Sequence, residues 1–195
     1  MGVAYASAHV LRWRDVTSRT PRALTLLLAS LVGCSVDDGH GGPSGCTSTS
    51  SVDLCSGNTV CMSDACTPAF PHAYEITNLS ATAPNMKADG TPWDTDGDGT
   101  PDIFVDISVA GAVVTSTPVN PDSFNATFAG PFTVQLTDGT ALDLQSSDKD
   151  TPGSEVIYDC PIPTVTASLL RTRYVQCSGV GGVTINYTIN PGPAS

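Results

Sequence analysis

The chain has 195 residues, with 8 Lys or Arg against 19 Asp or Glu and a formal net charge of −11. That length holds one domain of ordinary size plus extras. The acidic balance, with no basic patch to neutralise phosphates, excludes a generic nucleic-acid binder. In chain order, Arg12, Arg14, Arg19 and Arg22 precede an apolar run from Ala23 to Val32. The run is too short to span a membrane and has the form of a signal segment, which gives residues 1–33 as a cleaved leader.

The leader ends in Leu31-Val32-Gly33-Cys34, which resembles a bacterial lipobox. That resemblance implies a mature chain beginning at Cys34, lipidated there and held at the bacterial cell surface or outer membrane. Ser35 in the second mature position favours the outer membrane. The alternative is an ordinary secretory signal with an incidental Cys. Removing the leader takes away four Arg and Asp15, leaving 4 basic and 18 acidic residues, a net charge of −14. Direct attraction to an anionic membrane then requires a cation in between.

Residues 34–45 are rich in Gly and Ser and read as a flexible, lipidated tether. Cys46, Cys55, Cys61 and Cys66 follow in a polar stretch at 46–66, too small for a core of its own. They resemble the small cysteine modules that follow the anchor of many bacterial surface lipoproteins. With Cys34 set aside, six cysteines remain, an even number that reads as disulfides in an exported chain. Cys160 and Cys177 are expected to pair with each other, and the first four among themselves in a connectivity the sequence leaves open. A zinc site is the rival, but no C-x2-C pair is present.

From about residue 70 to 195 the pattern becomes period two. Tyr74 to Ser80 reads as a first strand. Ile103, Val105, Ile107 and Val109 alternate with polar or outward residues, as do Phe132, Val134 and Leu136, then Leu142 and Leu144, then Val183, Ile185, Tyr187 and Ile189. Strands of this kind, separated by Gly, Pro, Asn and Asp and with no long helical stretch, predict an all-β domain, an antiparallel β-sandwich.

Asp94-Thr95-Asp96-Gly97-Asp98-Gly99-Thr100-Pro101-Asp102 places four acidic side chains in nine residues. Two unit charges about 5 Å apart repel by roughly 3 kcal/mol at an effective dielectric near 20, so a tight turn here needs a cation. All-oxygen ligands suit a hard divalent ion. A second acidic run, Asp148-Lys149-Asp150 and then Glu155, lies beyond two strand-like segments.

Taken in order, these pieces resemble a C2 domain, the calcium- and lipid-binding Greek-key sandwich. Tyr74-Glu75-Ile76-Thr77-Asn78-Leu79-Ser80-Ala81 is similar to the family's opening strand, and Pro101-Asp102-Ile103-Phe104-Val105-Asp106-Ile107 to the strand after its first loop. Asn120-Pro121-Asp122-Ser123-Phe124-Asn125 is similar to its "Asn-Pro-x-Trp/Phe-Asn" turn. Leu142 to Asp150 with Glu155-Val156-Ile157 is similar to its third loop. The resemblance implies calcium ligands at Asp96 and Asp102 from loop one and at Asp148 and Asp150 from loop three, with Glu155 near the family's final Asp. Ile103 stands where the family has Pro, Tyr158 where it has Gly, and Asp94 and Asp98 are additional acids at the margin of the site.

Two other readings of loop one stay open. The run also resembles thrombospondin type 3 repeats and propeller-blade calcium loops, in which Asp94, Asp96, Asp98 and Asp102 would hold an ion without loop three; otherwise it is a solvated acidic turn. An EF-hand is disfavoured, because position 12 would be Val105 instead of a bidentate Glu. An enzyme is not expected either. His72 is the one His after the tether, and it offers no nucleophile pairing. Clustered Asp in Gly-rich loops suits ionised ligands better than a protonated glycosidase acid.

The expectation is therefore a non-enzymatic surface lipoprotein. Its calcium loops would meet a phospholipid headgroup or a surface protein. The alternative is a structural envelope lipoprotein with a local calcium loop or no metal, and no lipid binding.

Overall fold

The computed structural model describes residues 46–47, 53–94 and 99–193. The leader, Cys34, the tether, Asp96 and Asp98 lie outside the described residues. The chain divides into Met1–Gly39 and His40–Ser195, and the described residues all belong to the second unit.

Two short strands, β1 (Thr59–Met62) and β2 (Ala65–Pro68), form an antiparallel hairpin. Disulfides Cys46–Cys61 and Cys55–Cys66 staple it, with Cα separations of 5.7 and 5.5 Å. These two bonds consume the four sulfurs that a zinc site would have needed. The hairpin is too small to bury apolar surface by itself, and it uses the sandwich instead. Val60 and Ala69 belong to the same buried cluster as the sandwich residues.

The sandwich has two antiparallel sheets. In the first, β10 (Tyr174–Ser178) pairs with β11 (Thr184–Pro191), which pairs with β3 (His72–Thr82). The other edge of β3 is shared by β6 (Asn125–Phe128) and β7 (Phe132–Leu136). The second sheet runs β5 (Ala112–Ser116), β4 (Ile103–Val109), β8 (Leu142–Asp148), β9 (Glu155–Ile162). Their inner faces form one core, including Ile76, Leu79, Ile103, Ile107, Leu142, Leu144, Ile185 and Ile189, each at 1% exposure or less. This is the antiparallel sandwich that the period-two pattern predicts.

On β3 the inward residues are Tyr74 and Ile76, then Leu79 and Ala81. The spacing slips by one because Asn78 adopts φ 51°, and the pairing with β11 shifts register there. One extra residue at a β-bulge keeps both halves of the strand facing the core.

One helical turn was not anticipated. α1 (Ala167–Thr172) starts at Thr166, whose side chain accepts the Leu169 N–H at 3.3 Å, and it buries Ala167 and Leu170. Arg171 on this helix donates from Nη1 to the carbonyls of Gly57 and Thr59 at 2.7 and 3.0 Å, which docks the hairpin. The third disulfide, Cys160–Cys177, joins β9 to β10, with Cα atoms 5.6 Å apart. These are edge strands of different sheets, so the bond closes one side of the sandwich.

Candidate metal centre

One end of the sandwich collects the finish of β3, the start of β4, the finish of β8 and the start of β9. Asp148 is the last residue of β8, opposite Ile103 of β4 and Glu155 of β9. This register places Asp148 between two neighbouring strands, so its carboxylate is covered on both sides and wholly buried.

The backbone around it is closely tied. The Asp102 N–H donates to Asp148 Oδ1 at 2.7 Å, and the Lys149 N–H donates to the Asp102 carbonyl at 2.9 Å. Asn120 and Ile103 exchange two backbone hydrogen bonds, at 2.7 and 2.9 Å. The Trp93 N–H donates to the Gly99 carbonyl at 3.4 Å, which brings the residue before the acidic run close to Gly99 within it. Gly99 makes that turn at φ 82°, a conformation that costs glycine little. Trp93 is buried at the base of the run, its Nε1–H donating to the Pro84 carbonyl at 2.8 Å.

Oxygens from Asp94, Asp148 and Asp150 lie within 4.8 Å of one another. Oxygens sharing a calcium ion at 2.3–2.6 Å are at most about 5 Å apart, so the three fit one hard cation. Asp148 Oδ2 is buried without a hydrogen-bond partner. Burial pushes the Asp148 carboxyl above the usual carboxylate range, and Asp150 and Asp94 push the same way. The Asp102 N–H and Lys87 oppose them. A buried carboxylate oxygen with no donor is costly, and a cation at this point would satisfy it.

The sequence-predicted residues divide accordingly. Asp148 and Asp150 are brought together, joined by Asp94, which the sequence had placed at the margin. Asp102 lies beside Asp148 through its backbone, but its Oδ1 accepts the Asp122 N–H at 2.9 Å, and it is not among the three gathered carboxylates. Glu155 is opposite Asp148 in the ladder, with its Oε2 2.6 Å from Lys87 Nζ. Asp96 and Asp98 lie outside the described residues.

Lys87 was missed by sequence reasoning. It is one of only two lysines in the chain, and it follows β3 in a polar turn just before the acidic run. A lone cation beside such a run is the signal that could have found it. His72 lines a cleft of about 640 Å³ between the hairpin and the strand ends, remote in sequence and fold from the acidic pole.

No family model matches the chain, and no curated protein does. Among solved structures the chain is similar in fold to C2 domains. One is described as the structure of a C2 domain, at 19% identity and a TM-score of 0.46, covering 60% of this chain and 97% of that one. Another holds the two C2 domains of extended synaptotagmin 2 with calcium bound, at 14% identity and TM-score 0.48, covering 63% of this chain and 47% of that one. A third is a C2 domain of a plant extended synaptotagmin 1, at 14% identity and TM-score 0.42, covering 64% and 98%. Identities this low and TM-scores under 0.5 leave calcium and lipid to be argued from this chain's own residues.

Proposed function

We propose that this chain is a non-enzymatic, lipid-anchored surface protein whose sandwich binds calcium at the pole formed by Asp94, Asp148 and Asp150, and meets a phospholipid headgroup or surface protein there. The observation that carries the reading is Asp148. It is wholly buried, with one oxygen held by the Asp102 N–H, the other without a donor, and two more carboxylates within reach.

The division of labour among the chain's own groups follows from this geometry. Asp148 is pre-oriented by a backbone N–H, so little side-chain freedom remains to be lost on binding. Asp94 and Asp150 arrive from separate loops and lose their mutual repulsion when the pole is neutralised. A bound calcium would supply positive charge and coordination positions for a phosphate or carboxylate oxygen of the partner. Apolar loop tips are not needed for such an encounter. Asp150 and the exposed Lys149 occupy the third loop, giving a polar rim.

Thermal unfolding of the full chain with and without about 10 mM calcium chloride tests the metal, since an ion that binds only the folded loops raises Tm. The dissociation constant expected of an extracellular module is about 10⁻⁴ to 10⁻³ M. Co-sedimentation with phosphatidylserine vesicles, with calcium and with chelator, then tests the headgroup. An unmoved Tm sinks the metal reading. A raised Tm without vesicle binding leaves a protein partner, or calcium used for stability alone. The anchor has its own test: Cys34→Ala should move the protein from the detergent phase to the aqueous phase or leave it uncleaved, because two acyl chains make release negligible.

A further inference from the structure

Lys87 sits in a tight polar turn whose backbone is fixed. Its N–H donates to the Thr91 carbonyl at 2.9 Å, and its carbonyl accepts the Gly90 N–H at 3.0 Å. Asp89 Oδ1 accepts both the N–H and the hydroxyl of Thr91, at 2.9 and 2.6 Å. From that rigid base the four-carbon side chain reaches over the Trp93 ring, with Nζ 5.4 Å from the centroid, and on to Glu155 Oε2 at 2.6 Å. The ammonium's affinity for its proton is raised first by the hydrogen bond to Glu155, and then by the charges of Glu155, Asp150 and Asp148. Two of those acids belong to the gathered carboxylates. The side chain keeps 20% of its surface open to solvent, so it can withdraw without unpacking the core.

We infer that Lys87 is a tethered counter-cation of the acidic pole, holding Glu155 and damping carboxylate repulsion in the ion-free protein and giving way when a divalent cation enters. This inference rests on the metal reading above. It assigns to Lys87 the setting of affinity, and to Glu155 a reserve role, as a carboxylate released toward the pole when its lysine leaves. The physical basis is competition: a fixed positive charge beside the pole opposes an incoming positive ion and offsets the same repulsion that the ion would offset.

Two effects of opposite sign follow for Lys87→Gln. Ion-free stability falls, because the repulsion is no longer damped. Calcium affinity rises, by about tenfold at low ionic strength, and the gain shrinks in about 0.5 M salt as screening grows. Lys87→Arg keeps the charge and should behave like the wild type. A residue with a merely structural role would lower stability without tightening the ion.

The experiment is calorimetric titration of calcium chloride into the full chain, the Lys87→Gln variant and the Lys87→Arg variant, alongside their ion-free melting curves. Emission from Trp93 provides a second signal. It should change on calcium addition in the wild type as the ammonium leaves the ring, and change much less in Lys87→Gln; Trp93 is the one Trp after the leader. Tighter calcium binding with a lower ion-free Tm in Lys87→Gln supports the inference. Equal or weaker binding in Lys87→Gln, while the wild type binds, overturns it and leaves the metal reading intact. No uptake by any variant at about 10 mM overturns both.

Discussion

Asp102 and Asp148, 46 residues apart in sequence, are joined by a hydrogen bond from the Asp102 backbone N–H to Asp148 Oδ1 at 2.7 Å. One carboxylate thereby both fastens the first acidic loop to the end of β8 and offers its second oxygen to the pole. The two roles separate by substitution. Asp148→Asn retains an oxygen that can accept the Asp102 N–H and removes the buried charge. It should fold, match or exceed the wild type's ion-free Tm, and lose most of the rise produced by calcium. Asp148→Ala should also lose the loop tie, at a cost of about 1–3 kcal/mol for the orphaned N–H. Denaturant titration with and without calcium checks both.

Asp148 also predicts a pH dependence. Its folded-state carboxyl is raised above the ordinary value of 3.8, chiefly by burial. The folded protein therefore holds this proton more tightly than the unfolded chain does. Its contribution to ion-free stability is full below the ordinary carboxylate range and is lost as pH rises through the raised value. In chelator, the Tm of the wild type relative to Asp148→Asn should fall as pH rises from the ordinary carboxylate range through the raised value. Calcium should flatten that trend at the upper end, and its uptake should weaken in acid because the ligands must be deprotonated. A difference independent of pH would show that burial of this carboxyl is not felt.

The shared-pole and local-loop readings make opposite statements about single residues. Asp94 and Asp150 contribute to the gathered oxygens, whereas Asp102 gives Oδ1 to the Asp122 N–H. Asp150→Asn and Asp94→Asn should each remove more of the calcium-induced rise in Tm than Asp102→Asn, whose amide oxygen can still accept from Asp122. If Asp150→Asn leaves the rise intact while Asp94→Asn abolishes it, the ion is held by the first loop alone.

The Cys160–Cys177 bond fixes two edge strands that share no ladder. Closing the loop between them should stabilise by roughly 3 kcal/mol in the chain-entropy account. A Cys160→Ala/Cys177→Ala variant should lose about that much in denaturant titration. A loss under about 1 kcal/mol would indicate that the strands around the bond hold without it.

The strands were legible because their chemistry is local. Ile103, Val105 and Ile107 alternate inward on β4, and Ile185, Tyr187 and Ile189 on β11, as a half-buried strand requires. The Cys160–Cys177 pair was legible for a similar reason, since two cysteines flanking strand-like segments could meet across a sandwich edge. The helix at 167–172 was not, for six residues carry too little periodicity to stand out. Nor was the docking of the cysteine hairpin, which depends on Arg171 reaching carbonyls more than 100 residues away. At the pole, composition pointed to the acidic loops but could not rank their members. Which carboxylates converge is decided by the β8 register that buries Asp148 and by the backbone donor that claims Asp102, and neither is a property of residue type.

β3 runs without interruption from the stapled hairpin to the turn that carries Lys87. Its 11 residues at about 3.3 Å each span roughly 33 Å, and hydrogen-bonded neighbours on both edges stiffen it. The strand thus acts as a strut with the two ends of the domain at its tips. A pull applied at the hairpin would therefore be carried along one continuous strand to the turn that precedes the carboxylate end, about 3 nm away.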